Sequence, residues 1–269
     1  MGVHPLAVVD PKCRLGDGVD IGPGCVLTGE VTLGEGVRLV AGVHVCGPVR
    51  IGAGTILYPG ACIGFPAQDY KFTMGMPTGG VTIGCNSIIR EHVTVHAATR
   101  PDVPTTIGDK VFMMACSHAG HDARVGNGAI LVNSALLAGH AELHDNAIMS
   151  GNSAIHQFCR IGRMAFLSGN TGNSKDIPPF CISGSRNRLH GLNLVGLRRG
   201  GVPRQQITGL RRAFWEVLRP RLPLSEVVAR LGEMGRDNPL VAEIAKFVAE
   251  SKRGICPGAA DAGDEAEMA

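Results

Sequence analysis

A stretch in the middle of the chain, CSHAGHDARVGN at residues 116–127, puts His118 and His121 three apart with Asp122 directly after the second. Further on, His140 follows Gly139 and His156 precedes Gln157. These residue types suit acyl transfer to a hydroxyl. A neutral imidazole takes the proton as the hydroxyl attacks, because its ordinary pKa lies near working pH. Asp122 can hold the other ring nitrogen in the required tautomer. The backbone N–H of Gly139, with no side chain in the way, can stabilise an oxyanion. Converging histidines can equally bind zinc, and a single histidine can merely decorate a surface. Cys116 and Cys159 are conceivable nucleophiles, although cysteine commonly serves as small core filling. Spacing alone leaves base and metal ligand both open.

What must position these residues is a repeat of six. From Val3 to Ile63, every sixth residue is aliphatic; the phase slips across 64–82, resumes at Ile83, fails once at Pro101 and runs from Ile107 to Leu167. Glycine often follows the aliphatic residue, as in LGDGVD and VGNGAI. Neither a helical period nor simple alternation gives a strict six. A parallel β-helix does, with three short strands per coil, the aliphatic residue inward and a small residue at the corner. Eighteen residues then make one turn, so His121, Gly139 and Gln157 stack in one column, flanked by His140 and His156. Four histidines converging beside an Asp favour a site over decoration. Residues 64–82 and 97–106 are expected as loops leaving the prism.

Around Pro178-Pro179 the period ends, and Ile207, Leu210, Phe214, Val217 and Leu218 fall on one helical face. Pro203 and Asn238-Pro239 mark helix starts. Residues 186–221 carry nine Arg against one Glu, which suits an acidic partner or a solvated helical face. The expected organisation is an all-β left-handed parallel β-helix of about ten coils over 1–187, a small α-helical C-terminal domain over 188–256, and an acidic, disordered tail over 257–269.

Composition agrees and excludes other classes. The 269 residues include 38 glycines but only 4% aromatics, a balance typical of turn-dense β architecture. Nine cysteines without CxxC pairs read as reduced thiols in a cytoplasm. The N-terminal segment lacks signal-peptide character, no apolar run reaches membrane-spanning length, and a net charge of +3 without basic–aromatic interleaving argues against nucleic acid.

Several segments together carry a family resemblance: QDYKF (68–72), IREHVTVH (89–96), SHAGHDARVGN (117–127), LLAGH (136–140), AIHQFCRIG (154–162), DIPPF (176–180) and GLNLVGLRR (191–199). With them the sequence resembles the acyl-carrier-protein-dependent UDP-N-acetylglucosamine O-acyltransferases of lipid A biosynthesis, a hexapeptide-repeat family. The resemblance implies a homotrimer with clefts between subunits, acyl carrier protein as donor, a UDP-sugar as acceptor, and neither cofactor nor metal. It implies transfer of an (R)-3-hydroxyacyl group to the glucosamine 3-position. On this likeness His121 is the base, Gly139 the oxyanion donor and Asp122 the orienting carboxylate. Substrate contacts map to Asp69, Lys71, His118, His140, His156, Gln157, Asn193 and Arg199, and the acyl-chain ruler falls at Gly169 with Phe166 nearby. The Arg-rich helices then become a docking surface for an acidic carrier.

The chain departs from the family at Val195, where an acidic residue is usual, at Gly200, which replaces a basic one, at Ala97-Ala98, and around Ser150 and Gly169-Asn170. These changes spare the catalytic column and leave the acceptor and acyl length open. A 3-amino sugar acceptor would suit the same base. Readings of another class are a zinc-dependent hydratase of the carbonic anhydrase kind and a non-catalytic paralogue that binds the carrier protein.

Overall fold

The computed structural model describes residues 2–259, and most of the expected acidic tail lies outside the described residues. The chain winds as a left-handed parallel solenoid of about ten coils, its walls formed by sheets of nine, eight and ten short strands. Val8 pairs with Val26, and Val26 with His44, so each coil advances eighteen residues. The six-residue aliphatic positions point inward: Leu27, Val45, Ile63, Val95, Ala119, Leu137 and Ile155 line one wall, each at most 2% exposed. Burial of this continuous column, removed from water residue by residue, is what holds the coils in register.

Two loops interrupt the winding. Cys62 pairs with Thr94 across the first, and Val81 with Thr105 across the second. The strands Cys62–Phe65 and Val81–Ile83 run into the expected loop borders, so the excursions themselves are residues 66–80 and 97–104. Corners between walls require backbone in the left-handed region. Gly18, Gly24, Gly36 and Gly42 supply it in the lower coils, whereas Asp122, Ser134, His140 and Asn152 supply it higher up.

Past residue 187 one more strand joins the ten-stranded wall. The strand Arg188–Leu192 folds back antiparallel on Cys181–Ser185, a hairpin that a six-residue step cannot reveal. The helices follow as α1 (Leu194–Arg199), α2 (Arg204–Ala213) with a π-helical turn at Phe214–Leu218, α3 (Leu224–Met234) and α4 (Pro239–Ala249). Pro203 stands just before α2, and Asn238 caps α4 by accepting from the Leu240 N–H, with Pro239 as first helical residue. Leu210, Val217, Leu231 and Ile244 form the buried seam.

A charged clasp fastens α4 to the solenoid. The fully buried Asp176 accepts from the Arg160 backbone N–H at 2.8 Å, from its guanidinium at 3.0 Å and from the Ser251 hydroxyl at 2.9 Å. Arg160 also donates to the Phe247 carbonyl and lies over that ring. Removing one partner of so buried a pair costs about 3–5 kcal/mol. Beyond it, Leu189 donates to the Pro257 carbonyl and accepts from the Ala259 N–H, so the start of the expected tail lies along the hairpin. Among the described residues no helix is long and apolar enough to cross a membrane.

Candidate active site

The outward residues of the nine-stranded wall stack one per coil as Thr94, His118, Leu136 and Ala154. Alongside them the corners between this wall and the eight-stranded one present His121, Gly139 and Gln157. Together they line a cleft of 660 Å³ that also receives His96, Cys116 and Gln68.

His121 and Asp122 form its centre. Asp122 takes φ 60°, which turns its carboxylate back so that His121 Nδ1 lies 2.7 Å from Oδ2. Burial pushes the Asp122 carboxyl up, but hydrogen bonds from His121 and from the Thr99 hydroxyl and N–H outweigh it and hold the group below its ordinary value. An ionised carboxylate accepts only, so Nδ1 donates to it, and the neutral tautomer this selects has its lone pair on Nε2. A Cβ on Gly139 would stand 2.7 Å from Cε1 and Nε2 of His121. Glycine is therefore demanded by the imidazole itself, apart from any role of its N–H.

Burial pushes the surrounding imidazoles towards the neutral form. Burial, helped by the proximity of His118 and His121, drives the pKa of His96 down to about 4. Burial likewise lowers His118, whose Nδ1 meets the Thr94 hydroxyl at 2.8 Å. His140 is lowered by burial although Asp122 opposes the shift; its ring crosses that of His121 edge-on and stacks on Phe158 at 4.6 Å. Of the four, His121 alone has a short bond to a carboxylate.

Among the described residues, donor atoms of His121, Asp122 and His140 lie within 4.8 Å of one another and could hold a metal ion. Their spacing suits a bonded dyad better. Tetrahedral zinc ligands stand about 3.3 Å apart at bond lengths of about 2.0 Å, whereas the His121–Asp122 pair is already closed at 2.7 Å.

Other expected contacts scatter. His156 is exposed and lines a separate recess with Arg186, near Arg253. Asp69 accepts from the Lys71 N–H within its own loop, and Gln68 is the member of that loop that reaches the cleft. Asn193 is committed to the fold: its amide donates to the Met164 carbonyl and accepts from the Gly196 N–H, capping α1. Arg199 is exposed on α1. Gly169 sits at a corner above Gly151, and Phe166 points out of the ten-stranded wall, outside the cleft of its own chain. Cys159 is fully buried and burial pushes its thiol up, which removes it as a nucleophile; Cys116 is exposed in the cleft. Sequence reasoning missed His96 and Thr99 as site residues. The spacing HAAT (96–99), ending at the inserted loop, was the available signal.

The chain is similar to known proteins of one family. Residues 176–256 match the family described as UDP N-acetylglucosamine O-acyltransferase, domain 2. The chain is 46% identical over 256 residues to an acyl-[acyl-carrier-protein]–UDP-N-acetylglucosamine O-acyltransferase of Alkalilimnicola ehrlichii, covering 94% of this chain and 98% of that one. It is 43% identical to the protein of the same name from Pseudomonas putida, with the same coverage. Among solved structures, it is similar to a UDP-N-acetylglucosamine acyltransferase from Bacteroides fragilis, with a TM-score of 0.88 at 35% identity over 94% and 99% of the two chains. The Francisella novicida UDP-N-acetylglucosamine acyltransferase gives 0.90 at 32% identity over 94% and 93%.

Proposed function

Because the chain belongs to the acyl-[acyl-carrier-protein]–UDP-N-acetylglucosamine O-acyltransferase family, we propose that it carries an (R)-3-hydroxyacyl group from acyl carrier protein to the glucosamine 3-hydroxyl of UDP-N-acetylglucosamine, opening lipid A synthesis. His121 Nε2 takes the proton of the attacking hydroxyl, and the new C–O bond forms as the thioester carbonyl becomes tetrahedral. The backbone N–H of Gly139 receives the oxyanion. Collapse expels the carrier thiolate, which recovers a proton from the imidazolium. Throughout, Asp122 stabilises the positive ring without accepting its proton.

The observation that carries this reading is the 2.7 Å His121–Asp122 bond beside Gly139 in an open cleft. His118, His140 and Gln157 line or border that cleft and are proposed to hold the acceptor. Asp69, Lys71, His156, Asn193 and Arg199 remain proposed contacts, acting across subunits where their own chain does not bring them to the cleft; Gly169 and Phe166 remain the proposed ruler on the same terms.

A homotrimer is supported by the outward column of the ten-stranded wall. Ile56, Ile88, Phe112, Ile130, Ile148, Phe166 and Ile182 succeed one another on seven coils, an apolar stripe that a lone prism leaves half-buried, with Ile88 exposed. Exposed Arg198, Arg199, Arg204 and Arg211 support docking of the acidic carrier on the helical end. All nine cysteines are free, in keeping with a cytoplasmic setting.

The departures bear unequally on specificity. Ala97 and Ala98 are 1% and 2% exposed, so they fill the fold, whereas Val195 is 57% exposed and is the one to affect the acceptor. Turnover of acyl carrier protein thioesters against UDP-N-acetylglucosamine and its 3-amino analogue tests the assignment. His121→Ala is expected to abolish ester formation while the circular dichroism and oligomeric size stay those of the wild type. Wild-type turnover in that variant would sink the base assignment.

A further inference from the structure

Asp122 is enclosed by a second coil of chain that the mechanism above leaves unused. Its carboxylate is 8% exposed, and both oxygens lie 3.2 Å from the Thr99 N–H. The Thr99 hydroxyl donates to Oδ2 at 2.8 Å, the oxygen that also faces His121. From the other end of the same loop, the buried Thr105 hydroxyl oxygen accepts the Asp122 N–H at 2.8 Å. One threonine thus fixes the backbone of Asp122 and the other fixes its carboxylate.

The loop bearing Thr99 is itself held. Ala98 donates to the Gly80 carbonyl at 3.1 Å, Thr105 donates to that carbonyl too, and the Thr78 hydroxyl donates to the Ala98 carbonyl. Residues 97–104 are therefore anchored to the 66–80 excursion before they reach the dyad.

Such anchoring matters because Asp122 has two imidazoles within reach. His121 Nδ1 stands at 2.7 Å from Oδ2 and His140 Nε2 at 3.6 Å from the same atom. A carboxylate free to rotate about its own bonds would divide its time between them. While it served His140, the His121 ring would lose the partner that keeps its proton on Nδ1, and the other tautomer, with Nε2 protonated, cannot act as base. The geometry points to Thr99 as the residue that commits Asp122 to His121: a positioning residue, absent from the cleft lining, that selects the tautomer of the base through its hydroxyl. This inference rests on the reading of His121 as base.

The groups facing His121 are Asp122, His140, His118 and His96, so the test holds all four constant and changes Thr99 alone. Thr99→Val keeps the N–H and the shape and deletes the hydroxyl; Thr99→Ser returns the hydroxyl. In Thr99→Val, kcat is expected to fall about tenfold to a hundredfold, the range set by one hydrogen bond to a charged group. KM for UDP-N-acetylglucosamine should stay constant, and the acid limb of the kcat profile should move to lower pH as the imidazolium loses support. Thr99→Ser should restore both. A Thr99→Val enzyme with wild-type kcat, a loss confined to KM, or an equal loss in Thr99→Ser would overturn the proposal. Nitrogen-15 spectra of the His121 ring give a readout independent of turnover. Nδ1 should be the protonated nitrogen in the wild type and a tautomer mixture should appear in Thr99→Val, whereas an unchanged tautomer overturns the inference. If His121→Ala stays active while the spectra respond to Thr99, the base assignment fails and the positioning does not.

Discussion

In the lower coils the left-handed corners belong to glycine, at Gly18, Gly24, Gly36, Gly42, Gly54 and Gly60. Above the first loop the same corners carry side chains: Asn86, His92, Lys110, Cys116, Asp122, Ser134, His140, Asn146 and Asn152, with Gly128 keeping the older choice. The backbone requirement is identical in both halves. A Cβ there costs about 1–2 kcal/mol, least for Asn and Asp, whose short polar chains bond locally. The lower half avoids that cost and presents bare corners. The upper half accepts it, and two of its strained corners are Asp122 and the His140 beside it. In the candidate site Asp122 and His140 take left-handed backbone, whereas His121, which Asp122 faces, does not.

Exchanging corner types between the halves separates the two properties. The largest effect is expected for Asp122→Gly, which suits φ 60° but strips His121 of its carboxylate. Turnover should fall by about two orders of magnitude or more while the protein remains folded, as initial rates and circular dichroism would register. Activity within threefold of wild type would break the link between corner and chemistry.

A middle effect concerns acid stability of the upper half. His96 has a folded pKa of about 4 against an ordinary 6.5, chiefly through burial, then through His118 and His121. Between these values the unfolded chain takes up a proton that folded His96 refuses. Its contribution to stability is thus whole above pH 6.5 and drains away as pH falls towards 4, amounting to about 3 kcal/mol at most. The lowered pKa values of His118 and His140 act in the same direction. Melting temperatures measured at pH 7 and pH 5 should differ less in His96→Asn than in the wild type; an equal difference would show that acid loosens the molecule elsewhere.

The smallest effect is expected for Gly42→Asn. A Cβ at that corner meets nothing within 4 Å, so only the φ of 55° opposes it. A cost near 1 kcal/mol in denaturant titration, with unchanged turnover, would place it beside Asn86 and Asn152 as a merely tolerated corner. Loss of activity would mean that the lower coils contribute to the site.

The eighteen-residue step made much of this architecture legible before any coordinates. It put Gly139 and Gln157 above His121, and both line the cleft with it. The same arithmetic from Phe166 passes through Ile148, Ile130 and Phe112, an apolar column on another wall; family likeness had drawn attention to Phe166 for a different reason. What stayed hidden was whatever broke the step. Thr99 meets Asp122 because a loop of non-repeating length follows the strand that ends at His96, whose ring meets His118, and no periodicity encodes that loop. For Asn193 family likeness suggests a substrate contact, and periodicity does not show that its amide also bonds Met164 and Gly196. The hairpin closing at Leu192 was hidden because an antiparallel return follows a period of two, which five residues are too few to announce.

The Asp176 clasp has a consequence for the order in which the molecule comes apart. In a stack of coils each layer is secured by those on either side. The upper end is bolted to the helices through Arg160, Asp176 and Ser251. Among the described residues the lower end shows no such buried ion pair, and Leu6, Val8 and Leu15 stand open to water there. Opening therefore begins at the first coil and climbs, like a ribbon unwinding from its free end, and the layer that holds His121 lies nearer the sealed end. The strained corners are kept in the part of the ribbon that is last to unwind.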